Sequence, residues 1–512
     1  MTAPLRVLYY NWVDYLDPEG RGGGVTLYQA NLMRALGETR GVEAVFLSAG
    51  VSHDLRRRAP RWERVRHGPD TDRGRRFEIV NSGVLAPAHH SFGDAAQLSH
   101  PATRDVFFDF IERNGPFDVV HFNNLEGLPA DALALRERWP QMRVVLSLHN
   151  YYAFCPQVNL WHNERRSCED FGGGARCIGC LPHRHDGKSL RLADAVAYRM
   201  KRAGVRPGGW AFDGVFRFGL RPVGRALRIL GKLRRKARAP RAEAAFAERR
   251  RRMVETINRN CTDVLCVSDA VRTLAERYGI SAELTRTGYI GTRAAELFAQ
   301  TAPAPKLPKS ALLTLGFLGY MRRDKGFYFL LGALEALPAQ IARRIKLVVA
   351  ARAGGREAMD RLAALRGHLG DVVHHDGYTH DALDGLLAEV DVGVVPMLWH
   401  DNLPQVAIEM HARHIPLLVS DMGGASELGR CADMVFTAGS MQDFARCITR
   451  LLSGEIDMDA YWRGAMPPPD MRAHVADLLH LYRSSEANVV DQEPRRRRTK
   501  GTSDQRIERS AS

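Results

Sequence analysis

Long apolar runs are missing from this chain. No uninterrupted stretch approaches the roughly 20 residues that a membrane-spanning helix needs, which sets aside helical membrane-spanning proteins. A signal core is missing too. The first residues, MTAPLRVLYYNW, lead directly into a strand-like segment with no small-residue cleavage site. The expected location is therefore the cytoplasm. In that compartment the eight cysteines are expected as thiols or metal ligands, not as disulfides. Outside one segment the chain also lacks net charge. The formal net charge is +15, and residues 184–259 alone carry 22 Lys/Arg against 6 Asp/Glu, a balance of 22 − 6 = +16. The rest is near neutral. A protein built wholly around nucleic acid would spread its cations more widely, and no nucleic-acid partner is expected.

What is present fits a globular enzyme. The chain is 45% hydrophobic and 26% charged, and its 512 residues are too many for one core. Short apolar runs alternate with longer amphipathic segments. Strands are expected at 6–10, 42–48, 118–122, 143–149 and 263–268. The Pro-rich stretch TAPAPKLPKS (301–310) reads as a linker. A second series follows at 312–319, 346–352, 390–397, 415–421 and 434–439. Helix-period stretches such as 328–338 and 380–390 separate them. Apolar strands alternating with helices imply parallel sheets covered on both faces. The expected fold is therefore α/β, with two doubly wound Rossmann-like domains facing a cleft. The segment 470–483 has helical apolar spacing. Beyond it, 486–512 has none and reads as a disordered basic tail whose RRRR is a solvated run or a contact for an acidic surface.

Three motifs carry chemistry. EGRGGGVTLYQANLMRALG (19–37) opens a helix on a glycine triplet. Gly23 and Gly24 could let backbone approach an anion, or could simply form a loop. GFLGYMRRDKGFYFLL (316–331) ends a strand at Gly319 and turns through Arg322, Arg323 and Lys325 into a helix. Cations there suit a diphosphate, or are solvated surface charge. DNLPQVAIEMHARHIPLLVSD (401–421) sets Asp401 before a helix, with Asn402 and Pro404 as its cap and first-turn proline. Glu409 lies two turns along, among apolar residues. A buried carboxylate is costly unless it is paired or used, and paired hydroxyls such as a ribose offers would satisfy it. SDMGGASE (420–427) supplies a further turn at Gly423 and Gly424 whose amides could meet a ligand.

These stretches, with DVVHFNNLEGLP and SLHNYYAFCP, resemble the retaining glycosyltransferases of family 4, which have the GT-B fold. They stand in the family's order across most of residues 5–485. The resemblance implies a nucleotide-diphosphate sugar donor (UDP or GDP) held by the C-terminal domain (311–469). It implies a glycan or lipid-linked acceptor held by the N-terminal domain (1–300), and a final helix (470–485) crossing back. It assigns Glu409 to the donor ribose, Asp401 to the transferred sugar, Lys325 to the diphosphate, Gly23 and Gly24 to the turn facing it, and His149 to the reacting sugar. Two departures stand out. Asp401 replaces the usual Glu, and Tyr320 replaces the usual arginine, for which Arg322 or Arg323 would compensate. In the front-face displacement usually proposed for the family no protein nucleophile and no catalytic metal are required, and no Asp-x-Asp motif stands in a suitable loop. The implied role is the assembly of a bacterial surface polysaccharide or related glycan. Another GT-B reaction, such as epimerisation of a sugar nucleotide, and a catalytically weakened scaffold that binds a glycan or partner are the alternative readings.

Two regions lie beside those motifs. Cys155, Cys168, Cys177 and Cys180 fall within 26 residues and could form a structural zinc site, an iron–sulfur site, or remain thiols or a disulfide. His183 and His185 are possible substitute ligands. Cys261, Cys266, Cys431 and Cys447 read as packing thiols. FRFGLRPVGRALRILGKLRRKARAPR (216–241) carries ten Lys/Arg and no acid. It reads either as a basic amphipathic helix for an anionic membrane surface, making the protein peripheral, or as a solvated helical insertion.

Overall fold

The computed structural model describes residues 3–181, 186–220, 243–305 and 307–484. His183, His185, most of the basic segment 216–241 and the tail 486–512 lie outside the described residues.

Two sheets organise the chain. The first takes β1 (Leu5–Asn11), β2 (Val42–Ser52), β3 (Arg61–Arg64), β4 (Arg76–Val80), β5 (Val119–Phe122) and β6 (Arg143–Leu148). A small hairpin, β7 (Trp161–His162) with β8 (Arg166–Ser167), interrupts it before β9 (Asp263–Cys266) and β10 (Thr285–Thr287) complete it. The order is β10-β9-β6-β5-β1-β2-β4-β3. Neighbours run parallel except β3, which is antiparallel to β4. The second sheet is fully parallel. It takes β11 (Leu313–Tyr320), β12 (Ile345–Arg352), β13 (Asp371–Asp376), β14 (Val392–Val395), β15 (Leu417–Ser420) and β16 (Val435–Phe436), in the order β13-β12-β11-β14-β15-β16. Helices cover both faces, so inner strands read as unbroken apolar runs. All of Val392–Val395 is buried.

Topology places the site. In the first sheet the chain leaves β1 toward β2 on one side and returns at β5 on the other. In the second it leaves β11 toward β12 and returns at β14. Such reversals open a crevice beyond the carboxyl ends of the two strands. Gly23–Glu38 forms the helix after β1, with Tyr28, Gln29, Leu32, Met33 and Leu36 buried along one face. Its partner is the last helix, Met471–Arg483, whose first turn is capped by the Asp470 carboxylate accepting from the Ala473 amide at 2.7 Å. This helix follows the second sheet yet packs on the first. The Tyr28 hydroxyl lies 2.7 Å from His474 Nε2, and the Tyr9 hydroxyl lies 3.0 Å from that of Tyr482. The two crossings between the lobes run side by side, with the Thr292 amide donating to Pro469 O at 3.0 Å.

Candidate functional site

A cavity of about 230 Å³ lies between the lobes. Gly24, Tyr28, His149 and Ile290 line it from the first lobe. Tyr320, Lys325, Trp399, Asp401 and Gln405 are among those lining it from the second. The walls come from the turns after β6, β11 and β14, where the topology opens its crevice. The lobes approach closely here, and a Cβ added at Gly24 would meet Gln405 Cγ at 3.0 Å. Gly23, at φ +57°, has open space around it.

Lys325 is the only Lys or Arg among the lining residues. Its ammonium pairs with the Asp401 carboxylate and sits 5.0 Å from the centre of the Trp399 ring. Lys325 and Asp401, 76 residues apart, are thus joined. The other two cations of the turn go elsewhere. Arg322 makes two 2.9 Å bonds to the buried Asp324. Arg323 lies 3.3 Å from Glu357 and over the Tyr328 ring. Neither lines the cavity; each pairs with an acid of the second lobe while its own side chain stays largely exposed. Tyr320 itself is 59% exposed and stands on the cavity wall.

The glycine turn also differs from expectation. Gly423 and Gly424 do not line the cavity; they let backbone pass behind it. A Cβ on Gly423, at φ +83°, would stand 1.9 Å from Asp401 O, and one on Gly424 would stand 2.3 Å from Asn402 O and 2.7 Å from Ser268. The Gly424 amide donates to Asp401 O at 3.0 Å. These glycines fix the Asp401–Asn402 backbone. Asn402 is not a helix cap. Pro404 holds that position, and the helix runs Gln405–His411. The Asn402 side chain reaches across the cleft instead, donating to Leu148 O at 3.0 Å.

Further bonds close the cleft. Ser268 Oγ donates to Asn402 O at 2.7 Å. The Glu427 carboxylate accepts from the amides of Asp269 and Ala270 at 2.9 and 2.7 Å, and from the Tyr289 hydroxyl at 2.7 Å. A carboxylate of one lobe thus caps the helix Asp269–Arg277 of the other. Sequence reading singled out neither Glu427 nor Trp399, because each acts through partners far along the chain or through cavity shape.

His149 lines the cavity beside Tyr28, with ring centres 5.1 Å apart. Burial first, then the nearby His474, depresses its pKa to about 3, so it is a neutral imidazole at ordinary pH. Its Nε2 has no hydrogen-bond partner among the described residues. Burial similarly holds His121 at about 3 and His411 and His474 at about 4. Unfolded, each takes a proton near pH 6.5. The stability carried by these four neutral rings is complete above that pH and is lost as pH falls toward 3. Buried Glu126, raised to about 7, acts oppositely and loses stability as pH rises from about 4. The four outweigh the one. Thermal melts are expected to show the midpoint falling steadily below about pH 6; a midpoint flat down to about pH 4 would contradict these burials.

Glu409 is 6% exposed, on the helix Gln405–His411. It does not line the cavity. Its carboxylate lies close enough to Tyr378 to help push that hydroxyl's pKa up, after burial.

The cysteine loop forms one wall of the interlobe contact. Cys155, Cys168, Cys177 and Cys180 are all buried. Burial and the other three push Cys177 up to about 12. Among the described residues no group of three Cys, His, Asp or Glu stands ready to share a metal ion, so spacing alone speaks for zinc. The same loop carries Glu169, whose carboxylate lies 2.9 Å from His400 Nε2 on the second lobe, next to Trp399 and Asp401. Glu169→Ala is expected to raise the donor KM about 2–5-fold with little change in stability, since a pair open to solvent on its Glu169 side contributes about 0–1 kcal/mol. Steady-state kinetics beside a melting curve checks this.

Residues 313–454 match the family model described as Glycosyl transferases group 1. Among solved structures the chain is similar to Anabaena HepE in complex with UDP, at 15% identity and TM-score 0.51, covering 93% of this chain and 100% of that one. It is similar to sucrose-phosphate synthase from Thermosynechococcus elongatus at 16% identity and TM-score 0.52, covering 94% and 98%. A glycosyltransferase from Rickettsia africae aligns at 13% identity and TM-score 0.51, covering 94% and 98%. No curated protein matches by sequence. No helix among the described residues is long and apolar enough to cross a membrane. The chain has the GT-B fold of glycosyltransferases, and its second sheet lies within a stretch that matches group 1 of those enzymes.

Proposed function

We propose that this protein is a retaining glycosyltransferase of family 4 type. It moves a sugar from a nucleotide-diphosphate donor to a glycan or lipid-linked acceptor during synthesis of a bacterial surface polysaccharide. The observation that carries the reading is Lys325, the one Lys or Arg among the described residues of the interlobe cavity wall, at the turn after β11. The donor lies on residues 311–469 and the acceptor on residues 1–300. HepE, similar in fold, is described in complex with UDP, which supports a UDP donor here.

The chemistry follows from charge. The bond between the anomeric carbon and the diphosphate oxygen breaks, and the acceptor oxygen bonds to that carbon on the same face. The acceptor proton passes to the departing diphosphate. Lys325 stabilises the charge that develops there. To do so it must exchange Asp401 for the diphosphate, which frees Asp401 for sugar hydroxyls. Neutral His149 acts as a hydrogen-bonding partner for the sugar, not as a proton store. Glu409 holds the ribose once the helix Gln405–His411 adjusts to the donor. No catalytic metal takes part.

The test is a panel of UDP-, GDP- and ADP-sugars, followed by calorimetry and by release of free sugar, on wild type and Glu409→Ala. Binding of one nucleotide class, weakened in the variant and accompanied by slow sugar release, is expected. Failure of all of them to bind the folded protein at about millimolar concentration, an affinity of only about 4 kcal/mol, would sink the transferase reading and leave a GT-B scaffold.

A further inference from the structure

The glycine turn on the cavity wall has little to hold it from within. Residues 20–24 read GRGGG, four glycines in five positions, and glycine loses more backbone freedom on ordering than any other residue. No residue from Leu16 to Leu27 is fully buried, so apolar packing does not fix the stretch. Charge does. The Asp17 carboxylate accepts from the Arg21 amide at 3.0 Å and from its guanidinium at 2.8 and 3.1 Å. The Gly20 amide donates to Asp17 O at 3.2 Å. These bonds close the loop on itself, but they do not fasten it to anything else.

The fastening comes from the helix Gly187–Arg202. Near its end, Lys201 Nζ lies 3.0 Å from Glu19 Oε1, and the same oxygen lies 3.5 Å from the Arg21 guanidinium. The Lys201 side chain is 2% exposed. A buried ammonium is costly unless it is paired, which makes this contact far stronger than a surface pair. Asp17, Glu78 and Asp194 also feel its charge. The neighbouring cations of the helix bind elsewhere. Arg199 meets Asp54, after β2, at 3.1 Å, and Arg202 meets Glu63, in β3, at 3.4 Å. Of the three, only Lys201 reaches the loop after β1.

We infer that Lys201, acting through Glu19 and Arg21, is a positioning residue for the turn Gly22–Gly24. It does not line the cavity and touches no substrate. It sets the path of the chain into the helix Gly23–Glu38, and with it the place of Gly24 opposite Gln405. Its effect on turnover rests on the transferase reading; its hold on the loop does not. A turn without this tether occupies the donor-ready position for only a fraction of the time, and apparent donor affinity falls by that fraction. A bound donor holds the turn in place, so the saturated enzyme keeps its rate. The loss falls on KM and not on kcat, the opposite of what loss of the Lys325 charge produces.

The test compares Glu19→Gln, Lys201→Met, Lys201→Arg and Arg199→Ala in the full chain. Hydrogen exchange at short labelling times, read by mass spectrometry on peptides covering Asp17–Gly24, reports the bonded amides of Gly20 and Arg21. Exchange there is expected to quicken about tenfold in Glu19→Gln and Lys201→Met. It should stay near wild type in Lys201→Arg, which keeps the charge, and in Arg199→Ala, which frees the same helix from Asp54. With a sugar-nucleotide donor, KM should rise about five- to tenfold in the first two variants while kcat stays within about twofold. A merely structural salt bridge would lower the melting midpoint and leave both readouts as in wild type. Glu19→Gln keeps the test decisive should Lys201→Met fail to fold. Unchanged exchange in Glu19→Gln, or equal quickening in Arg199→Ala, would overturn the inference. Were no nucleotide sugar to bind the wild type, the transferase reading would fall, and exchange would still judge the tether.

Discussion

Lys325→Met is expected to lower kcat by about 10²–10³-fold, with a smaller change in KM. The size follows from preorganised charge. One fixed donor aimed at a developing anion contributes about 3–4 kcal/mol to the barrier. Among the described residues no second Lys or Arg lines the cavity, and Arg322 and Arg323 pair with Asp324 and Glu357. The kcat bias follows because the extra charge exists in the transition state and not in the bound donor. The variant also strands Asp401, 8% exposed, as a carboxylate without its ammonium beside an anionic substrate. Adding Asp401→Asn should therefore recover part of the donor affinity lost, but not the rate. If Lys325→Met turned over as wild type, the diphosphate would lie elsewhere.

Gly423→Ala is expected to cost about 2–4 kcal/mol of stability and to reduce donor turnover more than tenfold. Two effects combine. The backbone is at φ +83°, and the new methyl would meet Asp401 O at 1.9 Å. Gly439 separates them, since it has φ +81° and nothing within 4 Å. Gly439→Ala should show the conformational strain alone, about 1 kcal/mol. The difference between the two variants in denaturant unfolding measures the close approach. The activity loss has its own cause, because displacing the Asp401 backbone moves the pair it makes with Lys325, and misplacement of about 1 Å can cost about 10²-fold. Equal effects from Gly423→Ala and Gly439→Ala would mean that the Asp401 backbone yields freely.

The sequence made the inner strands plain and the charged ones obscure. β1, β2, β11 and β14 are apolar runs buried on both faces, and such runs can be read locally. β4, RFEIV, is equally buried, yet it carries Arg76 and Glu78 at 1% and 3% exposure. Asp14 pairs with the one and His67 with the other, at 2.9 and 3.1 Å. Partners so distant in sequence leave no local period, and the strand is not legible from its residues alone. The site divides the same way. The turns that bring Lys325, Asp401 and His149 to one cavity could be recognised from strand ends and motif order. Whether a glycine faces a ligand or a neighbouring backbone could not, nor whether an arginine faces the cavity or an acid behind it. Glu427 against Asp269 and Ala270 is a pairing between lobes, and only the fold brings it about.

The side-by-side crossings at Thr292 and Pro469 also bear on how the chain is made. The first lobe is interrupted: its last helix is translated only after the whole second lobe has emerged. On the ribosome the second lobe can close on its own, being continuous in sequence. The first must wait with the place for Tyr482 unfilled between Tyr9 and His121, exposing apolar surface until residue 483 appears. A stop codon before Met471 would therefore harm the half of the protein that was synthesised first.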